Sequence, residues 1–180
     1  MERMTIDSPA DALALLASLG ATRWLVRHHE LVVEAAGLLV AGLHGVRFDR
    51  GAVMIGAALH DAGKIVHPAE MSAPGHHHEQ AGRDLLVANG VPAELARFCV
   101  THAAWQDGTL EDQLVALADK LWKGKCDEAL ERCVVDAIAA TTGEQPWQVF
   151  ERVDALCEAI AADGDDRLAR SAVTGSSSSP

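Results

Sequence analysis

The apolar residues of this chain recur with the period of an α-helix in every strong segment, and this pattern limits the possible folds more than any other feature. The alternation of β-branched residues that is typical of strands is scarce. A chain of 180 residues, 49% of them hydrophobic, is long enough to bury one substantial core. We therefore predict an all-α protein with a single domain over residues 1–172 and a flexible Ser-rich tail at 173–180.

Capping and breaking residues divide the domain into helices. Ser8-Pro9 and Thr22 are typical helix starts, and Asn89-Gly90 is a typical helix end. A loop rich in Pro, Gly and His separates the third helix from the fourth. The predicted helices span approximately residues 8–20, 22–43, 49–59, 78–89, 92–105, 109–123, 127–140 and 146–162. The last two are expected to cover the core from outside.

The third predicted helix ends in Ala-Ala-Leu-His-Asp-Ala-Gly-Lys, residues 57–64. The imidazole of His60 and the carboxylate of Asp61 together offer ligands suited to divalent Mn, Fe, Co, Ni or Zn. Gly63 allows the chain to turn so that Lys64 returns over the site. The pair alone is weak evidence, since Asp61 can equally be the N-cap of the next element.

Two adjacent histidines on the second predicted helix compete to be the first metal ligand. At about 100° per residue, Glu30 and Glu34 mark the solvent face, and His28 lies near the opposite side. His29 falls on the flank. We therefore predict that His28 points inward as the ligand.

A carboxylate lies in an apolar helical stretch at residues 114–121. A buried, unpaired Asp119 would be costly, so we expect a metal or a paired cation such as Lys120 or an arginine beside it. Helices of a bundle can bring such side chains together at one point in the core.

The ordered set of His28, His60-Asp61 and Asp119, with Leu-His-Asp-Ala-Gly-Lys at its centre, resembles the HD superfamily of metal-dependent phosphohydrolases. The resemblance covers about residues 23–125. It implies an HD-domain-like helical bundle, to which this chain adds C-terminal helices, and an enzyme that hydrolyses a phosphate ester of a small metabolite, preferably a nucleotide.

Two further histidines extend this resemblance. Residues 78–86 are similar to the His-x-x-x-Gly-x-x-Leu-Leu segment of HD proteins with an enlarged site, and Cys-Val-Thr-His at 99–102 is similar to the histidine that ends the next helix. The metal ligands that the resemblance implies are His28, His60, Asp61, His78, His102 and Asp119. They can hold two divalent ions bridged by Asp61, or one ion, with His78 and His102 left to bind phosphate or donate a proton.

The resemblance also implies the reaction class. A divalent ion lowers the pKa of bound water from about 15.7 towards about 7 and so supplies hydroxide at neutral pH. We expect Asp61 to hold that water or accept its proton, with Lys64 acting beside it. Lys64 and Arg83 are the first candidates for binding phosphate oxygens. Lys123 and Lys125 are further candidates, for which the interpretation as solvated surface charges is preferred.

Two other functions remain open at this point. Similar helical proteins with a dinuclear iron site and two additional histidines catalyse oxygen-dependent oxidation, and this chain has both histidines. A non-catalytic module that senses a nucleotide or a metal is the other alternative. The substrate is not specified by the sequence, although residues 105–109 replace the Gly-Tyr-Pro extension associated with cyclic dinucleotide hydrolysis.

Charge and composition limit the partners. A net charge of −11 argues against non-specific binding to nucleic acid, while a metal and a few cations can still bind a small phosphorylated substrate. Charged residues interrupt every apolar run before about 18 residues, which argues against a membrane span. The first residues lack the apolar stretch of a signal peptide, so we expect a cytoplasmic protein, and a homo-oligomer is compatible with the sequence.

The remaining cysteines and histidines are given no role in the site. The four cysteines lack Cys-x-x-Cys spacing and are predicted to be reduced core residues. They are Cys99, Cys126, Cys133 and Cys157. His76 and His77 are assigned to the exposed loop, and no partner is predicted for His44 or His67.

Overall fold

The computed structural model describes residues 5–172, and it contains helices and no strand over that range. The all-α fold predicted from the sequence is therefore confirmed. The α-helices are α1 (Pro9–Ser18), α2 (Arg23–Gly42), α3 (Arg50–Leu59), α4 (His77–Ala88), α5 (Ala93–Ala96), α6 (Phe98–Thr101), α7 (Leu110–Leu121), α8 (Glu128–Thr142), α9 (Pro146–Ala162) and α10 (Gly164–Ala172). Two 3-10 helices, Ala62–Ile65 and Pro68–Met71, lie between α3 and α4. The tail predicted at 173–180 lies outside the described residues.

Side-chain caps begin several of these helices where the sequence predicted them. The side chains of Ser8, Thr22 and Asp49 each accept a hydrogen bond from a backbone N–H in the first turn of α1, α2 and α3. Thr109 and Asp112 form a reciprocal capping box at the start of α7. These caps satisfy N–H groups that have no partner inside the helix.

The fifth predicted helix, at 92–105, is wrong as a single element. The chain forms two short helices, α5 and α6, which meet at Arg97. The guanidinium of Arg97 donates to the carbonyl oxygen of Glu94, which a continuous helix would use for the N–H of Phe98. Arg97 also pairs with Asp112 at the start of α7, 2.9 Å away. A side chain thus occupies the carbonyl oxygen of Glu94 at the point where the two helices meet, and Arg97 keeps helical dihedral angles there.

Helix α10 was not predicted, because its sequence is polar and starts with glycine and two aspartates. Its anchor is Arg167, which is completely buried. Arg167 donates to the carbonyl oxygens of Leu121, Trp122 and Ile160 near the ends of α7 and α9. It also pairs with Glu34 of α2 at 3.1 Å. One long-range cation thus holds α10 against three other helices.

The core is formed where α2, α3 and α7 pack against one another, and α8 and α9 cover this layer from outside. A second apolar cluster lies between α1, α3 and the segment of α4 to α6. Helix α3 contributes to both clusters, so its C-terminal end lies in the interior of the fold. This is the end that carries His60 and Asp61.

Two glycines bring α4 into backbone contact with the 3-10 helix Ala62–Ile65. A Cβ atom on Gly63 would overlap the carbonyl oxygen of His78 and lie 2.6 Å from the backbone nitrogen of Gly82. Gly63 is not among the glycines with positive φ, so the turn itself does not require it. Its role is the close approach, which places the first turn of α4 beside Asp61.

The cysteines occupy more varied positions than the sequence suggested. Cys99 and Cys157 are buried, as predicted, but Cys126 is exposed and Cys133 is half-buried. Cys126 lies in the connection between α7 and α8, which is outside the core. All four are free thiols.

Over residues 5–172, the helices are too short or too polar to span a lipid bilayer.

Candidate metal centre

Asp61 lies at the centre of a buried cluster of histidines at the end of α3. Its Oδ2 atom is 3.1 Å from Nε2 of His28 and 3.5 Å from Nε2 of His60. Its Oδ1 atom is 3.2 Å from Nε2 of His78 and 3.6 Å from Nε2 of His102. The two oxygens of one carboxylate therefore face two different pairs of imidazoles.

The first group of possible metal ligands consists of His28, His60, Asp61 and Asp119. They come from α2, the end of α3 and α7, and their ligand atoms all lie within 4.8 Å of one another. Nε2 of His60 is 3.5 Å from Oδ1 of Asp119. Two ligands with bonds of about 2.1 Å to one ion lie at most about 4.2 Å apart, so the distance of 3.5 Å fits a shared ion, and it is long for a hydrogen bond.

The hydrogen bonding of His60 fits a metal ligand. Its Nδ1–H donates to the carbonyl oxygen of Ala57 at 2.9 Å, which turns Nε2 towards the two carboxylates. This Nε2 atom is buried and has no hydrogen-bond partner within residues 5–172. A buried polar atom without a partner is costly, and a divalent ion between the imidazole and the carboxylates would satisfy it.

The second group consists of Asp61, His78 and His102. Nδ1–H of His102 donates to the carbonyl oxygen of Phe98 at 2.9 Å, and Nδ1 of His78 is 2.5 Å from Oε2 of Glu70. In both histidines Nδ1 is engaged and Nε2 faces Asp61. The two groups share Asp61, so the residues can hold one ion on each side of its carboxylate.

The charges of the cluster shift the pKa values of its members. Burial alone would lower the pKa of His60, but Asp61 and Asp119 outweigh it and raise the pKa to about 10. Burial raises the pKa of Asp61, yet His60, His28 and His78 bring it well below its usual range. The pKa of Asp119 is also lowered, since His60 and Lys123 outweigh its burial. Both carboxylates are therefore ionised at neutral pH.

The second pair of histidines differs in pKa. Burial and the neighbouring His60 lower the pKa of His102 to about 4, so this imidazole is neutral. The hydrogen bond to Asp61 raises the pKa of His78 in spite of its burial, and Glu70 adds to the effect. Desolvation raises the pKa of Glu70, but the hydrogen bonds with His78 lower this pKa to about 2.

The structure brings His28 to Asp61 and keeps His29 away from it. His29, predicted on the flank of the helix, is nevertheless completely buried. Its Nδ1 atom is 3.3 Å from the carbonyl oxygen of Ala57, and its Nε2 atom has no partner among the described residues. Helix α2 packs against both α3 and α7, so its buried face is wider than a single stripe.

Two lysines lie beside the carboxylates. Nζ of Lys64 is 2.5 Å from Oδ2 of Asp61, and Nζ of Lys123 is 3.9 Å from Oδ2 of Asp119. Lys123, for which a solvated charge was preferred over a phosphate-binding role, is therefore paired with Asp119 one helical turn away. The side chains of Lys64, Asp119 and Lys123 are 17%, 20% and 30% exposed, so the cluster reaches solvent on this side.

Other candidates from the sequence lie elsewhere. Arg83 is exposed on α4 and forms no ion pair with another residue of the described range. Lys120 is half-buried and Lys125 is exposed, and Asp119 is paired with His60 and Lys123 instead.

The remaining histidines lie outside the cluster. His76 and His77 are exposed, as predicted, and His44 is exposed as well. The ring of His67 lies 5.8 Å from that of His77, a neighbour that the sequence did not reveal.

Three neighbours of the cluster were missed by sequence reasoning. Trp24 stacks on His28 with ring centroids 6.1 Å apart, and Trp122 approaches the same ring edge-on at 5.1 Å. The four-residue spacing of Trp24 and His28 on one helix was a usable signal for the first contact. Glu70 lies in the predicted loop, and no periodicity there pointed to His78.

Comparison with known proteins agrees with this arrangement. The family profile described as HD domain matches residues 24–122, more than half of the chain, and this range contains every ligand of both groups. Searches of curated proteins and of solved structures gave no significant match. The HD family is generally one of metal-dependent hydrolases. On the strength of the profile match, the chain belongs to the HD domain family.

Proposed function

We propose that this protein is a metal-dependent phosphohydrolase that hydrolyses a phosphate ester of a small metabolite, with nucleotides as the first class to test. The observation that carries the proposal is the position of Asp61 between two groups of imidazoles, with a lysine beside it. Membership of the HD family supports the reaction type. The proposed cofactor is one or two divalent transition metal ions, of Mn, Fe, Co, Ni or Zn.

Each residue of the cluster has a proposed part in binding the cofactor. His28, His60, Asp61 and Asp119 would hold the first ion, and Asp61, His78 and His102 the second. Such ions supply a bound water of lowered pKa and screen the negative charge of the phosphate. His60 and His102 are held by backbone carbonyls, so their Nε2 atoms are oriented before any ion binds.

Asp61 is the proposed catalytic carboxylate. It is buried and stays ionised, so it can hold the attacking water as a hydrogen-bond acceptor. Lys64 stays next to it and can donate to a phosphate oxygen at the moment that charge develops there. The buried surroundings exclude competing water and strengthen these interactions.

The substrate phosphate is proposed to bind where the cluster reaches solvent. Lys64 and Lys123 place two ammonium groups beside the two carboxylates, and each can neutralise a phosphate oxygen. Arg83 remains a candidate for a more distant part of the substrate. The net charge of −11 favours a small substrate over a nucleic acid.

The proposal is tested by turnover against a panel of phosphate esters after reconstitution with each metal. The panel contains nucleoside monophosphates, cyclic nucleotides, nucleotide alarmones and sugar phosphates, and the readout is released phosphate or product. We expect turnover in the native chain, its loss in His60→Ala and Asp61→Asn, and retention in His44→Ala. His44 is the matched control because it is exposed and distant from the cluster. A metal-loaded protein that hydrolyses none of these esters would overturn the proposal.

A second candidate is an oxygen-dependent oxidation at a dinuclear iron site. It is favoured by the same second group, since His78 and His102 extend the first site as such enzymes require. Oxygen consumption by the iron-loaded protein, without phosphate release, would replace the first proposal with this one. Tight nucleotide binding without turnover or oxygen consumption would instead identify a sensing module.

A further inference from the structure

Glu70 is enclosed next to the second group of ligands, although it belongs to the connection between α3 and α4. Its side chain is 10% exposed and lies on the 3-10 helix Pro68–Met71. Its Oε2 atom is 2.5 Å from Nδ1 of His78 and 3.1 Å from the backbone nitrogen of the same residue. Its Oε1 atom is 3.2 Å from the backbone nitrogen of His77.

These contacts make Glu70 the cap of helix α4. His76, at the N-cap position, provides no side-chain cap, so the first N–H groups of the helix need an acceptor from elsewhere. Glu70 accepts from two of them, and its negative charge is favourable at a helix N-terminus. Gly75 permits this approach, because a Cβ atom there would overlap the Glu70 carboxyl group.

The position of His78 in its helix explains why it needs this partner. His60 and His102 each donate Nδ1–H to a carbonyl of their own segment, three or four residues earlier. His78 is the second residue of α4, so the residues three and four positions before it lie outside the helix. A carbonyl in the required direction is therefore missing, and the carboxylate of Glu70 takes its place.

The consequence is a fixed orientation of the His78 imidazole. With Nδ1–H donated to Glu70, only Nε2 is left to act as a ligand, and it lies 3.2 Å from Oδ1 of Asp61. An anionic acceptor also makes the opposite nitrogen a stronger donor to a metal than a neutral carbonyl does. We propose that Glu70 is a positioning residue that orients His78 as a ligand of the second ion, an inference that rests on the proposed function.

The test compares the metal binding of the native chain with that of Glu70→Ala, Glu70→Gln and Glu79→Gln. Glu79→Gln is the matched control, since it removes a carboxylate from the first turn of α4 that forms no ion pair with another described residue. Ion stoichiometry and affinity are measured by calorimetry and elemental analysis, and the state of His78 by nitrogen NMR. Glu70→Gln retains an acceptor for the backbone N–H groups, so it separates the capping role from the effect of charge.

We expect Glu70→Ala to lower the affinity for the second ion by about 10- to 100-fold, as loss of such partners commonly does. The affinity for the first ion should stay unchanged. The affinity of Glu70→Gln for the second ion should lie between those of Glu70→Ala and the native chain. The affinity of Glu79→Gln should equal that of the native chain. In the NMR spectrum, Nδ1 of His78 should lose its protonated signature in Glu70→Ala while the signals of His60 persist.

The outcomes separate this inference from the proposed function. Two ions in Glu70→Ala with native affinity and an unchanged His78 signal would overturn the role of Glu70 alone. An equal loss of affinity for both ions would also overturn the role of Glu70, because such a loss would indicate a general destabilisation of the fold. A plateau of one ion in the native chain would overturn it by removing the two-ion form of the site.

Discussion

Replacing Gly63 by alanine tests whether the contact between α4 and the 3-10 helix Ala62–Ile65 builds the second group of ligands. A Cβ atom at this position would overlap the carbonyl oxygen of His78 and lie 2.6 Å from both the carbonyl carbon of His78 and the nitrogen of Gly82. All of these are backbone atoms, so no side-chain rotation can relieve the contact. The two backbone segments must separate.

The required movement is large compared with the size of the site. Even the milder contacts must open from 2.6 Å to 3.4 Å, the near limit of ordinary van der Waals contact, and the overlapped oxygen requires more. A displacement on the order of 1.5 Å would take Nε2 of His78 from 3.2 Å to nearly 5 Å from Oδ1 of Asp61. Two ligands with bonds of about 2.1 Å to the same ion cannot be more than about 4.2 Å apart.

We therefore expect Gly63→Ala to lose the second ion and to keep most of the affinity for the first. Overpacking costs about 1–3 kcal/mol, and a backbone clash belongs at the upper end of that range. For a chain of this size, about 3 kcal/mol corresponds to a fall in Tm of roughly 6–12 °C. The assays are thermal unfolding by circular dichroism and ion stoichiometry by elemental analysis.

The matched control is Gly37→Ala in helix α2. A Cβ atom there would meet only Cε of Met54, at an ordinary 3.7 Å. Alanine is favoured over glycine in a helix by up to about 1 kcal/mol, so Tm should rise by a few degrees. Native Tm and two bound ions in Gly63→Ala would refute the reasoning, because the close approach would then be unnecessary.

Three further results are expected. His28→Ala should lose the first ion while His29→Ala retains it and only lowers Tm, and the reverse result, measured by elemental analysis, would reassign the ligand. Chelation of the bound ions should lower Tm by roughly 5–11 °C if they are present at 100 times Kd, since about 2.7 kcal/mol of stabilisation is then removed, and an unchanged Tm would exclude tight binding to the folded state. Arg170 and Arg167 hold the pKa of Glu34 below its ordinary value of 4.5, so Glu34→Gln should be less stable in urea unfolding above about pH 4.5. That difference should vanish as pH falls through the lowered pKa, and a difference that persists at lower pH would contradict the ion pair as its cause.

The parts of the fold that depend on neighbouring residues in the sequence were predictable. Thr22 and the pair of Thr109 and Asp112 act within one helical turn, so their residue types alone placed the starts of α2 and α7. Helix α10 was missed because its stability depends on Arg167, whose partners in α2 and α7 are more than forty residues away. No local pattern reveals the burial of this side chain. At the break beside Arg97, a side chain likewise occupies a backbone carbonyl, that of Glu94.

The same distinction holds for the candidate site. His60 and Asp61 are adjacent in the sequence, and the helical period correctly directed His28 towards them. The period did not reveal that His29 is buried as well, because it assumes one buried face, whereas α2 packs against two helices. Glu70 was not recognised as a neighbour of the ligands, because its position follows from the packing of the loop on α4, which depends on tertiary structure. Lys123 lies four residues after Asp119, a spacing that the sequence contains but that was not used.

The central claim is that Asp61 lies between two sets of metal ligands. Anomalous diffraction from crystals grown with Mn²⁺, recorded above and below the manganese absorption edge, tests it most directly. We expect one anomalous peak among His28, His60, Asp61 and Asp119 and a second among Asp61, His78 and His102. Peaks confined to other parts of the chain, with the carboxylate of Asp61 bound only to protein or water, would contradict the account.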